Sequence, residues 1–196
     1  MRKTILFIVT LCLFSCSEKK TLQKISLVEN PNFVLIFMDD LGYGDIMPFG
    51  SINYETPHIN KLAQEGILFT NFYSVQAVCS ASRAALLTGS YSNRIGINGA
   101  LMPYSTVGLN TNEITIAELL KEKGYATSIF GKWHLGFQEK FLPLNHGFDT
   151  FLGLPYSNDM WPVDFDGNQI SDTSNWRKKS YPQLPLIEDF KKIDEI

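Results

Sequence analysis

The chain has 196 residues, 44% of them hydrophobic and 19% charged, ordinary globular usage with enough material for one sizeable core. It carries 17 basic and 20 acidic side chains, a formal charge of −3. No basic surplus or Lys/Arg stripe points to nucleic acid, whereas a small anionic substrate stays open, because a few cations in one pocket can bind it.

Met1-Arg2-Lys3 gives a positive start, and the apolar run Thr4–Phe14 that follows is too short to span a bilayer. That layout is a signal peptide over residues 1–15, implying export to a bacterial periplasm or outer membrane. The ending Leu13-Phe14-Ser15-Cys16 resembles a lipoprotein box, with cleavage before Cys16 and a lipid on its sulfur as the membrane anchor; an ordinary signal peptide that happens to contain cysteines is the alternative. Residues 16–30 then read as a polar tether, and residues 31–196 as the domain, with a core over 31–155 and a loop-rich part over 156–196. Cys12 leaves with the leader and Cys16 takes the lipid, so Cys79 has no disulfide partner in an oxidising compartment. It is either a buried small hydrophobe or a reactive group.

In chain order, Phe33–Met38 is an unbroken apolar run that predicts a strand buried on both faces. Pro57 after a Thr56 cap, and the stop at Gly66, predict a helix. Residues 67–74, "ILFTNFYS", predict a second strand. A short helix starts near Ser80 or Ala81 and closes at Gly89, and residues 112–124 predict the clearest helix, with apolar positions at Ile114, Ala117 and Leu120. Residues 125–130 predict a third strand, followed at once by "GKWHLG". After Tyr156 the pattern weakens into Trp-, Pro- and Asn-rich loops, and residues 186–196 show no closing strand pattern. Alternation of strands and helices predicts an α/β fold with a mainly parallel sheet flanked by helices.

Ligands in such folds bind beyond the carboxyl ends of the strands. Three polar clusters sit at predicted strand ends: Asp39-Asp40, the segment around Cys79, and Lys132-x-His134. Adjacent carboxylates ending an apolar strand suit a hard divalent cation; a solvated turn is the competing reading. Cys79 at a helix N-terminus would sit where backbone N–H groups favour an anion, with Arg83 one turn on along the same face; a buried thiol and a surface arginine is the bland alternative. Lys132 and His134 lie two apart and share one side of an extended segment. A lysine there can neutralise an ester oxygen and a histidine can trade a proton, or both can simply face water. His58 reads as a surface helix residue, Asp45 as a turn residue and His146 as structural. No Cys/His cluster suggests zinc, and no phosphate-loop or dinucleotide fingerprint occurs.

Residues 79–89, "CSASRAALLTG", resemble the first signature of the sulfatase family, and residues 124–136, "GYATSIFGKWHLG", resemble its second. Residues 32–45 are similar to the family's opening strand and metal-binding aspartates, and "GLPYSND" at 153–159 to its arylsulfatase A-like and galactosamine-sulfatase branch. The resemblance runs from Asn32 to Asp159 in the family's order and implies an alkaline-phosphatase-like fold, incomplete at the C-terminus because family members are much longer. Ala81 stands where proline is commoner, and Phe130 where a smaller residue is usual. The resemblance further implies a sulfuric ester hydrolase acting on a sulfated sugar or aryl sulfate. In it, a separate maturing enzyme oxidises Cys79 to formylglycine (3-oxoalanine), whose hydrate attacks sulfur with one hydroxyl and expels sulfate through the other. It implies that Asp39, Asp40 and an oxygen of residue 79 bind one Ca²⁺, that Arg83 orients the hydrate, that Lys132 holds the sulfate, and that His134 holds either. Two further readings are a formylglycine-dependent phosphonate or phosphodiester hydrolase, and an inactive lipid-anchored protein that binds sulfated glycans.

Overall fold

The structure, a computed structural model, describes residues 30–195 apart from 165, 169 and 171–175. The expected signal peptide, the lipid site Cys16 and the tether up to residue 29 lie outside the described residues. No helix among the described residues is long and apolar enough to cross a membrane. The described residues fall into two units, divided between Met38 and Asp39. In the first, residues 31–38 take no regular secondary structure, and Phe33, Val34, Leu35 and Ile36 are exposed. The strand expected there is therefore not formed. An apolar run marks a segment that gains by burial, and hydrophobicity alone does not fix it as a strand. The same holds for residues 67–74, which are irregular and exposed in place of the second expected strand.

The second unit begins with the 3₁₀ turns Tyr43–Asp45 and Met47–Phe49. Helix α1 spans Pro57–Glu65 and follows the predicted signals, with Thr56 at the cap position and Pro57 in the first turn. The Thr56 hydroxyl does not cap this helix; it accepts the Met47 N–H at 2.9 Å. Helix α2 is Cys79–Thr88, closed by Gly89, which adopts the left-handed conformation that glycine reaches without steric cost. Helix α3 is Ile116–Lys121. Its start is a reciprocal capping box: the Thr115 hydroxyl accepts the Glu118 N–H and the Glu118 carboxylate accepts the Thr115 N–H.

Four strands form one sheet in sequence order: β1 Ser128–Lys132, β2 Thr150–Leu154, β3 Pro185–Glu188 and β4 Lys191–Glu195. Between β2 and β3 along the chain lies the short helix α4, Trp176–Lys179. β1 and β2 run parallel, whereas β2–β3 and β3–β4 are antiparallel, so the sheet is mixed. The β3–β4 hairpin lies in the part read as loops. Its turn is Asp189-Phe190, with Asp189 at φ +55. Aspartate tolerates that conformation, but the dipeptide lacks the Asn-Gly or Asp-Gly signature by which such hairpins are recognised. The Asp189 carboxylate also accepts the Phe151 N–H at 3.0 Å, tying the turn to β2.

β1 and β2 are unusually close at one register pair, Gly131 and Gly153: a Cβ on Gly153 would lie 1.8 Å from the Gly131 carbonyl oxygen. The main core gathers Ala81 and Ala84 of α2, Ala117 of α3, Ile97, Leu109, Trp133, Leu135, Leu142, Phe148, Phe151 and Ile187. Each fully buried aliphatic side chain of this kind contributes about 1.5–3 kcal/mol. A second cluster, Tyr156, Met160, Tyr181 and Leu184, packs beyond the end of β2.

Candidate active site

Asp39 and Asp40 occupy a turn, with Asp40 in the left-handed region at φ +54 that a short polar side chain tolerates. Cys79 is the first residue of α2, one position earlier than expected, after an extended Val78. It is a free cysteine. Arg83 follows one turn later, and Lys132 ends β1. His134 comes two residues on, also left-handed at φ +59 and fully buried.

These side chains converge. One carboxylate oxygen of Asp39 faces the Arg83 guanidinium at 3.5 Å and the other forms a short ion pair with the Lys132 ammonium. Arg83 also donates through Nη1 to the Lys132 carbonyl oxygen at 2.5 Å, locking the helix to the strand end. Arg83 and Lys132 keep only 12% and 10% of their side-chain surface exposed, so both charges depend on these partners. Burial of Asp39 opposes its charge, but the hydrogen bond and charge of Lys132, joined by Arg83, hold its carboxyl below the usual range. Single ligand atoms of Asp39, Asp40 and Cys79 lie within 4.8 Å of one another.

His134 does not point at water. Its Nε2 lies 2.7 Å from the Leu101 carbonyl oxygen. That oxygen only accepts, so Nε2 carries the proton and Nδ1 keeps a lone pair. Nδ1 is buried with no hydrogen-bond partner among the described residues. Burial above all, with the positive charges of Lys132 and Arg83, pushes the imidazole pKa down to about 4, against the Leu101 hydrogen bond and the charge of Asp39. At neutral pH the ring is therefore uncharged and presents a proton acceptor.

Two participants were not singled out as site residues from the sequence. The Ser157 hydroxyl accepts a hydrogen bond from the Lys132 ammonium at 2.9 Å, and its signal was present in "GLPYSND". The Leu101 backbone joins α2 to His134: its N–H donates to the Ser80 hydroxyl at 3.0 Å while its carbonyl receives His134. No local pattern could reveal that role, because it uses only main-chain atoms. His58 lies on α1, and a pocket beside that helix, lined by Ile46, Ile59, Leu62 and Ile67, contains none of these residues.

The profile of the Sulfatase family matches residues 31–189. The chain belongs to the sulfatase family. Bovine arylsulfatase A is 50% identical over 135 residues, covering 67% of this chain and 27% of its own length. Human N-acetylgalactosamine-6-sulfatase is 39% identical over 171 residues, covering 83% and 30%. Among solved structures, the PsFucS1 sulfatase from a Pseudoalteromonas species superposes with a TM-score of 0.63 at 36% identity, over 79% of this chain and 33% of that one. Ps i-CgsB, solved with k-i-k-neocarrahexaose, gives 0.64 at 32% identity, over 79% and 35%. The chain thus carries part of the alkaline-phosphatase-like fold of sulfatases, and it spans less than a third of the length of those two curated relatives.

Proposed function

We propose that this chain carries the nucleophile and anion-binding half of a sulfuric ester hydrolase, acting on a sulfated sugar. The observation that carries the reading is the convergence of Cys79, Asp39 and Asp40 with two largely buried cations, Arg83 and Lys132, beside a neutral histidine acceptor. Relatives in the family are sulfatases by name, and one structural neighbour was solved with k-i-k-neocarrahexaose, which supports a carbohydrate substrate.

Ca²⁺ fits the acidic part of the site. Two oxygens on opposite sides of the ion, each 2.3–2.6 Å away, are about 5 Å apart, and the three candidate ligand atoms lie within 4.8 Å. The sulfur of Cys79 is the misfit, since Ca²⁺ takes oxygen ligands. Conversion of Cys79 to formylglycine by a maturing enzyme would replace it with oxygen and make the donor set uniformly hard. Three side chains give fewer than the six to eight ligands Ca²⁺ takes, so water, the sulfate or further protein oxygens complete the shell. When bound, the ion would supply Lewis acidity toward the sulfate oxygens, and the hydrated aldehyde a carbon bearing two hydroxyls.

The chain's own residues do the remaining work. Lys132, oriented by Ser157, and Arg83 place positive charge where the sulfate oxygens gain negative charge. His134, neutral and with a free Nδ1 lone pair, would hold a hydroxyl of the matured residue 79 or the sulfate. We also propose export and lipid anchoring at Cys16; metabolic labelling with a fatty acid, lost in Cys16→Ala, tests them.

The decisive experiment is the mass of the peptide carrying residue 79 after co-expression with a formylglycine-generating enzyme, joined to turnover of an aryl sulfate and an aryl phosphate. Replacement of the sulfur by a carbonyl oxygen, with sulfate ester hydrolysis faster than phosphate ester hydrolysis, is expected. A fully converted residue 79 without sulfate release would overturn the reading, and a faster phosphate reaction would move it to the phosphodiester class.

A further inference from the structure

His146 is a fully buried histidine that no step above uses. Its ring lies 5.6 Å from the Trp133 ring, tilted by 34°. Trp133 is the residue between Lys132 and His134 and is itself buried, with Phe148 against its edge at 6.4 Å. Its indole N–H donates to the Phe141 carbonyl at 2.9 Å, and its backbone N–H to the Leu154 carbonyl at 2.8 Å. His146 is tied down in turn: its carbonyl accepts the Thr115 hydroxyl at 2.7 Å, linking it to the cap of α3. The segment Pro143–His146 is thus a strut between α3 and the tryptophan.

We propose that His146 is a positioning residue, acting through Trp133 to hold Lys132 and His134 in register. This rests on the reading of those two residues as parts of a sulfatase site. His134 sits at φ +59, a conformation that a residue with a Cβ keeps only where its surroundings over-determine it. On the far side it is fixed by the Pro155 carbonyl, which accepts its N–H at 3.2 Å, and by the Leu101 carbonyl. On the near side the fixed group is Trp133, and His146 fills the volume behind that ring.

The ring of His146 matters here for its shape. Neither of its nitrogens makes a hydrogen bond of ordinary geometry among the described residues, and burial lowers its pKa in spite of the Glu118 charge and a weaker contact to the Phe141 carbonyl. A hydrocarbon ring of similar size should serve, and a methyl group should not. That distinguishes a packing strut from a proton carrier.

The test compares His146→Ala and His146→Phe in the full chain, with two readouts. In a ¹⁵N-histidine-labelled sample, the His134 ring nitrogens report their tautomer. The parent should show a protonated Nε2 and an unprotonated Nδ1. His146→Ala should mix the two forms, and His146→Phe should restore the parent pattern. With an aryl sulfate, His146→Ala should lower kcat about tenfold with KM within twofold, and His146→Phe should recover it. An unchanged His134 tautomer in a folded His146→Ala protein overturns the proposal, as does a His146→Phe variant as impaired as His146→Ala. If the parent hydrolyses no sulfate ester, the proposed function fails on its own, and the tautomer readout still decides the positioning role.

Discussion

Gly153→Ala is the sharpest probe of how the fold holds the site. The new Cβ would fall 1.8 Å from the Gly131 carbonyl oxygen and 2.7 Å from its carbon, both main-chain atoms that cannot swing away as a side chain would. Contacts below 3.0 Å are essentially never seen for a Cβ, so β1 and β2 must part by more than about 1 Å at their glycine pair. Adjacent strands sit about 4.8 Å apart, and a shift of that size disrupts one or two ladder hydrogen bonds, each worth roughly 1 kcal/mol net. Overpacking strain adds about 1–3 kcal/mol. The expected loss is about 2–4 kcal/mol, or a fall in melting temperature of roughly 5–15 °C for a chain of this size. Thermal unfolding followed by circular dichroism measures it, with Gly44→Ala as the control. Nothing lies within 4 Å of a Cβ at Gly44, so its change should stay within about 0.5 kcal/mol. A Gly153→Ala protein melting within 2 °C (roughly 1 kcal/mol) of the parent would refute the close approach of the two strands.

Two further outcomes follow from the charges. His134 has a folded pKa of about 4 against an ordinary 6.5, so the unfolded chain binds the extra proton. Stability from this group is complete above pH 6.5 and lost as pH falls toward 4, about 3 kcal/mol in all, and Asp39 and His146 shift in the same direction. Denaturant unfolding between pH 7 and 4 should show a steep loss that His134→Gln flattens. Arg83→Ala removes both the contact to Asp39 and the hydrogen bond to the Lys132 carbonyl, and aryl sulfate turnover should drop about 100-fold or more, read as kcat in a fully matured sample.

The candidate site residues could be picked out because they stand at the edges of patterned segments. The apolar run that stops at Asp39-Asp40, the Gly89 stop after Arg83, and "GKWHLG" after an apolar run all mark segment edges from composition alone, although the run before Asp39 forms no strand. The expected helices ending at Gly66 and Gly89 formed with those stops, the second starting at Cys79, just before its expected start; the helix expected over 112–124 forms only at Ile116–Lys121, and the third predicted strand, 125–130, forms shifted onward as Ser128–Lys132. The runs at 33–38 and 67–74 are apolar enough to predict strands yet form none, because hydrophobicity reports a gain from burial and not a backbone conformation. What could not be read was the joinery: Leu101 acts through its backbone, the Asp189 turn lacks a glycine, and Trp133 and His146 meet across 13 positions by packing alone.

Asp39 and Asp40 bring two negative charges to the site, and Arg83 and Lys132 two positive ones, so the four cancel. His134 adds none at neutral pH. A sulfate ester entering this balanced set gains Lys132 and Arg83 only by drawing them away from Asp39, whose two oxygens they already face. A divalent cation on Asp39 and Asp40 would take over that carboxylate, free the two side chains for the incoming anion, and leave a positive surplus. Unit charges 5 Å apart at an effective dielectric near 20 interact by on the order of 3 kcal/mol, so even heavy solvent screening leaves room for a tenfold effect. Calcium should therefore tighten inorganic sulfate binding at least tenfold by titration calorimetry. By linkage, sulfate should tighten calcium binding by the same factor. Asp40→Asn should weaken both, because it removes a charge that the cation uses and the anion does not. Sulfate affinity that is indifferent to calcium would mean that the carboxylates and the cations do not form one site.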